Sequence, residues 1–218
     1  MSKRSLSLVN FDPIARRTRA RTGLDQPEPV TFDDPDNPDV VVTEWRLRRL
    51  SAPGGYVLHR TDGPARIETY RSSPRTVGEF WLQNGEFYRA NGQPTLTFPW
   101  SDSWLIGPYP GVLHRVGAPA FINRESAETL FEWHQNGVPY RENDLPTLQE
   151  GGRAEWRNTR GRLHRLTGPA VILPDGTEKF YINGRLQRTV RPDGRMVFPF
   201  RDREPPELSG SWIESSAA

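Results

Sequence analysis

An internal repeat constrains this chain more than any other feature. Segments beginning at residues 57, 112 and 162 share the pattern Leu-His-Arg, three variable residues and then Pro-Ala. Each is followed by a second kind of segment, at 81–85, 133–137 and 180–184, in which an aromatic residue precedes Asn-Gly. The two kinds of segment alternate. The repeat therefore predicts an array of small units in which neighbouring units complete each other's core.

One arginine recurs in every unit, at intervals of 23 to 29 residues. An aromatic residue precedes each arginine, and a proline follows it after four or five residues. This spacing predicts six units of about 25 residues. The six arginines are Arg60, Arg89, Arg115, Arg141, Arg165 and Arg188.

Turn chemistry indicates the secondary structure of each unit. Asn84, Asn136 and Asn183 each precede a glycine, and Asn-Gly is the preferred pair for a two-residue hairpin turn. With 19 Gly and 21 Pro in 218 residues, long helices are disfavoured. The predicted fold is all-β, an antiparallel meander of about six β-hairpins with an extended N-terminal arm.

Charge patterning suggests the domain boundaries. Residues 1–24 carry six basic residues against Asp12, and a Pro-rich acidic stretch follows. We predict an arm at 1–40, a repeat domain at 41–200 and a C-terminal tail or cap at 201–218. The arm is either a solvated tail or an anchor whose arginines contact an acidic partner or phosphates. These arginines are Arg16, Arg17, Arg19 and Arg21.

The paired motifs resemble the MORN repeat superfamily. The match is to a variant with Trp-x-x-Asn-Gly and Leu-His-Arg-x-Asp-Gly-Pro-Ala units, common in phages and large viruses and related to repeats of bacterial antitoxins. It covers about residues 45–198 and is strongest at 59–65, whereas Gly117 and Thr167 replace Asp62 in the later units. The resemblance implies a β-hairpin scaffold for protein or membrane contact that has no shared catalytic residues.

The histidines of the repeat invite comparison with a metal site. The chain has no cysteine, which excludes thiolate ligands, disulfides and thiol catalysis. Equivalent side chains in a stacked array lie in a row and do not converge on one ion. We therefore expect no metal and no cofactor, and we assign His59, His114 and His164 a structural role. In it, one ring nitrogen bonds a turn carbonyl or Asp62.

Two interpretations remain for the repeated arginines. Stacked on aromatic rows that include Trp81 and Trp133, they stabilise the fold by cation–π contacts. Alternatively, they form a ladder that binds an acidic chain or single-stranded nucleic acid. The net charge of +2 lacks the basic field typical of nucleic-acid domains.

These observations predict a non-catalytic protein-binding or structural protein, for which the resemblance suggests a phage virion or accessory component. It would dock on a protein partner, itself or another, through its arm or a sheet edge. The alternatives are a nucleic-acid-binding protein that uses the arm and the arginine ladder, and an antitoxin-like repeat protein. No catalytic motif, signal peptide or membrane span is recognised, so we expect a soluble non-enzyme that is cytoplasmic or virion-associated.

Overall fold

The structure, a computed structural model, describes residues 26–73 and 75–199. Within these ranges the regular structure is β-strand, apart from short 3-10 turns at Pro53–Gly55 and Ala90–Gly92. The predicted all-β meander of hairpins is confirmed. The chain divides into two compact units, the first ending at Leu113 and the second beginning at His114.

The first unit contains eleven short strands within the described residues. They are β1 (Glu28–Asp33), β2 (Val40–Arg48), β3 (Tyr56–Leu58), β4 (Arg66–Tyr70), β5 (Thr76–Phe80), β6 (Leu82–Gln83), β7 (Glu86–Phe87), β8 (Leu96–Phe98), β9 (Ser101–Ser103), β10 (Leu105–Ile106) and β11 (Val112–Leu113). Six of them form an antiparallel sheet in the order β1-β2-β4-β5-β8-β9, and β3 also pairs with β2. The remaining strands make two separate hairpins, β6-β7 and β10-β11.

The second unit repeats this plan. Its strands are β12 (Phe121–Asn123), β13 (Leu130–Glu132), β14 (His134–Gln135), β15 (Val138–Pro139), β16 (Leu148–Glu150), β17 (Arg153–Glu155), β18 (Val171–Ile172), β19 (Glu178–Ile182), β20 (Arg185–Val190) and β21 (Met196–Val197). The sheet order is β12-β13-β16-β17-β18-β19-β20-β21, and β14-β15 is a separate hairpin.

Each of the three Asn-Gly pairs of the repeat forms the turn that the sequence predicts. Asn84, Asn136 and Asn183 have φ of 53°, 50° and 51°, and the glycines that follow have φ of 84°, 78° and 82°. Two successive residues with positive φ match the right-handed twist of the flanking strands. In the repeat around Trp81, the chain leaves the sheet at the aromatic residue, folds into a side hairpin, and returns after the proline.

The residue after the repeat proline is small and buried. The side chains of Ala65, Ala120 and Ala170 are fully inaccessible. In the first of these, the Ala65 amide donates to the carbonyl of Phe80, while its carbonyl accepts from the amide of Trp45. The repeat returns to the sheet at this point with neighbours on both sides, so a larger side chain has no room.

The sheet begins earlier than the expected boundary at residue 41. Strand β1 pairs with β2 from Glu28 opposite Arg46 to Asp33 opposite Val41. The acidic, proline-containing segment that follows is a turn, in which the Asp34 carboxylate accepts from the amides of Asp36 and Asn37. Residues 28–40, which we expected in the arm, therefore belong to the sheet and its first turn.

Candidate functional site: an arginine–aromatic ladder

The repeated arginines stack on the repeated aromatic rings. In five repeats the guanidinium carbon lies 3.7 to 4.0 Å from the centre of the ring. At this distance the cation interacts with the face of the π-system. The stacked pairs, which we call rungs, are Arg60 on Trp45, Arg89 on Trp81, Arg141 on Trp133, Arg165 on Trp156, and Arg188 on Phe180.

A second contact explains the constant spacing between arginine and proline. In four repeats an Nη1 donates to the carbonyl of the repeat proline, at 3.0 to 3.4 Å. The donors are Arg89, Arg115, Arg141 and Arg165, and the acceptors are Pro94, Pro119, Pro146 and Pro169. Because the arginine closes the loop that returns to the sheet, the predicted structural role accounts for its position.

Two rungs bind a carboxylate through Nε of the arginine. Nε of Arg60 donates to Asp62 at 2.8 Å, and Nε of Arg165 donates to Asp144 at 3.0 Å. The bond from Arg60 holds the pKa of Asp62 below its usual value. The pKa of Asp144 is also lowered, first by a hydrogen bond from the hydroxyl of Thr167 and then by Arg165.

Three rungs have no such acid. For Arg89, Arg141 and Arg188, no carboxylate lies within ion-pair distance among the described residues. Burial lowers the pKa of Arg141, because the surroundings destabilise its positive charge. These guanidinium groups therefore carry uncompensated charge.

The repeated histidines join neighbouring repeats. Nδ1 of His59, His114 and His164 accepts a hydrogen bond from the amide of Asn84, Asn136 and Asn183, at 2.9, 3.1 and 3.2 Å. The expectation that the ring bonds a turn carbonyl or Asp62 was wrong. The left-handed turn directs an amide N–H at the ring, so Nδ1 must carry the lone pair.

Sequence reasoning missed a set of acids directly before three of the tryptophans, two of which are buried. Glu44 and Glu155 are almost fully buried, and each binds two arginines. Glu132 contacts Nε2 of His134 at 2.9 Å. Burial raises the pKa of Glu155, but hydrogen bonds from Arg153 and Arg157 outweigh it and leave the pKa lowered. The recurring tripeptides Glu-Trp-Arg and Glu-Trp-His were the signal in the sequence.

Two clefts lie beside the rungs of the second unit. One of about 170 Å³ lies beside Arg141 and is lined also by Arg115, Trp133, Tyr140 and Leu145. The other, of about 200 Å³, lies between Arg165 and Arg188, and its lining includes Phe180, Leu166 and Gln187. Each cleft thus combines arginine, an aromatic ring and apolar side chains.

Several predicted features lie apart from the ladder. Arg16, Arg17, Arg19 and Arg21 lie outside the described residues, as does the segment 201–218. Over residues 26–73 and 75–199, no three histidine or carboxylate side chains are grouped as potential metal ligands. In the same part of the chain, none of the helices is both long and apolar enough to cross a membrane.

Comparisons with protein-family models, curated proteins and solved structures find no match to this chain.

Proposed function

We propose that this protein is a non-catalytic β-repeat scaffold that binds a protein partner through the ladder face of its second unit. On this proposal the ladder face, rather than the arm or the sheet edge, makes the main contact with the partner. The repeats supply a row of similar clefts, and extended repeat surfaces of this kind suit contact with another macromolecule.

One observation carries the proposal. Leu166 is 78% exposed, yet it lines the cleft that holds Arg165 and Arg188. Leu145 is also exposed and lines the cleft beside Arg141. Exposed apolar side chains grouped around cationic, aromatic clefts mark an interaction surface, and arginine and aromatic residues are enriched in protein interfaces.

A quantitative capture experiment tests this surface. Tagged full-length protein is incubated with a nuclease-treated extract of the source organism, and bound proteins are quantified by mass spectrometry. We expect the double variant Leu145→Ser and Leu166→Ser to lose the partner by about tenfold, because truncated apolar contacts weaken binding. Leu50→Ser is the matched control, since Leu50 is 82% exposed but belongs to the first unit.

Equal recovery with the ladder variant and the Leu50 control would show that the partner binds elsewhere. Recovery that disappears on nuclease treatment would favour nucleic-acid binding instead. If a protein lacking residues 1–25 still retains the partner, the partner does not bind through the basic arm.

A further inference from the structure

The chain itself contains two examples of a carboxylate bound to a ladder arginine. Asp62 occupies Nε of Arg60, and Asp144 occupies Nε of Arg165. In both rungs the face of the guanidinium stacks on its tryptophan, while the Nε edge of the same group binds the acid. Stacking thus leaves this edge of the arginine available to an acceptor, and a carboxylate is the acceptor that the protein uses.

The same edge is vacant in two rungs of the second unit. Nη1 of Arg141 donates to Pro146 and to Gln149, at 3.2 and 3.1 Å, whereas its Nε and Nη2 have no acceptor among the described residues. Arg188 stacks on Phe180, and within that same part of the chain its guanidinium makes no hydrogen bond. An Nε–Nη2 edge presents two parallel N–H groups, the arrangement that matches a carboxylate.

The space beside both arginines suits one side chain. The clefts of about 170 and 200 Å³ are smaller than the ~300–1,000 Å³ typical of small-molecule sites. The cleft at Arg188 contains Arg165 but no acidic lining residue. The cleft at Arg141 contains Arg115 and also Glu142. The unpaired charges of Arg141 and Arg188 favour an anion in both clefts.

We propose that the free edges of Arg141 and Arg188 are carboxylate seats for Asp or Glu side chains of an extended acidic segment in the partner. The proposal rests on the proposed function and gives the partner its chemistry. Exposed Leu166 in the cleft at Arg188 favours a polypeptide over a phosphate backbone, because it offers an apolar contact.

The strand order sets the distance between the seats. Trp133 follows β13 and Phe180 lies in β19, four strand steps apart in the sheet order. At ~4.8 Å per step the seats are roughly 19 Å apart, which an extended peptide covers in about six residues. Since six is even, both acidic side chains project from the same face of the peptide.

Fluorescence anisotropy of labelled peptides with the full-length protein tests the seats. One nonapeptide carries Glu at positions 1 and 7 in a Gly-Ser background, and a second carries the two Glu at positions 4 and 5. We expect the first to bind at least about twofold more tightly, and Arg188→Gln to weaken its binding by about two- to fivefold. Both effects should diminish at high salt.

Two further variants test the seats without removing an arginine. Asp144→Asn frees Nε of Arg165 and opens a third seat, so it should tighten binding of a peptide with Glu at positions 1, 3, 5 and 7 by about two- to fivefold. Asn143→Asp places an acid two residues after Arg141, as Asp62 stands after Arg60, and should weaken binding. Asp36→Asn is the charge-matched control for Asp144→Asn, because Asp36 makes no ion pair within the described residues.

Equal binding of the two spacings, or equal effects of Asp144→Asn and Asp36→Asn, would overturn the proposal. Ladder-dependent binding of an oligo-dT strand but of neither peptide would also overturn it, by making phosphate the ligand. If the peptides fail while capture of a protein still depends on Leu145 and Leu166, only the acidic-segment inference is wrong. If the Leu145→Ser and Leu166→Ser variant captures as much partner as the Leu50→Ser control, but the seats bind peptide as expected, the contact surface of the proposed function is wrong.

Discussion

The rungs at Arg60 and Arg165 reach the same charge state by different routes. Arg60 binds Asp62, which stands two residues later in its own loop. Arg165 binds Asp144, which belongs to the loop of the preceding repeat. The indole Nε1 of Trp156 fixes that loop by donating to the carbonyl of Asp144 at 2.8 Å. The same ladder position is therefore neutralised locally in one repeat and by a neighbour in the other.

This difference shows why a repeat motif does not determine the chemistry of each rung. Thr167 replaces the aspartate of the motif in the later repeat, and from the sequence alone that rung lacks an acid. In the structure Thr167 donates its hydroxyl to the same Asp144 carboxylate that Arg165 binds. With threonine at this position, the arginine still has an acidic partner, but that partner comes from another loop.

The largest expected effect comes from the buried acid that directly precedes the tryptophan in each of these two rungs. Glu155→Ala removes a carboxylate that binds Arg153 and Arg157, and Glu44→Ala removes one that binds Arg46 and Arg66. We expect each to lower the free energy of unfolding by about 1–3 kcal/mol, because two arginines lose the buried carboxylate that accepts their hydrogen bonds. Urea denaturation measures this loss. A change under 1 kcal/mol at Glu155 would show that the arginines find solvent instead.

Lowering the pH should produce the next largest effect on stability. Because the pKa of Glu155 is lowered in the folded protein, its stabilisation is complete above the unfolded pKa and is lost as pH falls through the folded value. We expect the unfolding midpoint to decline below about pH 5. Glu155→Gln should flatten this decline, as followed by tryptophan fluorescence. An identical pH profile in the variant would contradict the assignment.

Histidine replacement should cost less. His164→Ala leaves the amide of Asn183 without its acceptor, and His59→Ala does the same to Asn84. Each should lower the free energy of unfolding by about 1 kcal/mol, the net value of one hydrogen bond. Hydrogen exchange at these two amides is the direct measurement, and each variant should accelerate exchange at its own partner amide only. Unchanged exchange would show that the histidine does not protect the turn.

The smallest effect should come from exchanging the two routes of neutralisation. Asp144→Asn alone removes the acid from Arg165, and adding Thr167→Asp places one where Asp62 stands in the first repeat. Both residues are exposed, so stability should change little. The chemical shift of Nε–H of Arg165 should move in the single variant and return in the double variant. A shift that does not return would show that the loop at Thr167 cannot adopt the geometry at Asp62.

Much of the fold was predictable because its signals are local. Asn-Gly favours a hairpin turn, and the arginine-to-proline interval of four or five residues indicated a repeated loop. The partner of each histidine was not predictable, because Nδ1 bonds an amide 19 to 25 residues away. The start of the sheet was also misplaced. Acidic and proline residues suggested an arm, whereas Val30 and Phe32 alternate along an edge strand.

The candidate site was predicted only in part. Alternating arginine and aromatic residues indicated a ladder with either a structural or a binding role. The contacts of the arginines to an aromatic ring and to a proline carbonyl account for the structural role. The free edges of Arg141 and Arg188 leave room for the binding role. Glu44 and Glu155 were missed, since strand pairing places Arg66 beside Glu44 from 22 residues away.

The sequence by itself determined the hairpins, their period and the arginine that follows each aromatic residue, because these depend on backbone preferences and short loops. Only the tertiary structure decided which arginines are neutralised, since that depends on acids delivered by another repeat, as Asp144 is to Arg165. Electrostatic pairing requires atoms within a few ångströms, and the stacking of one repeat on the next sets those distances.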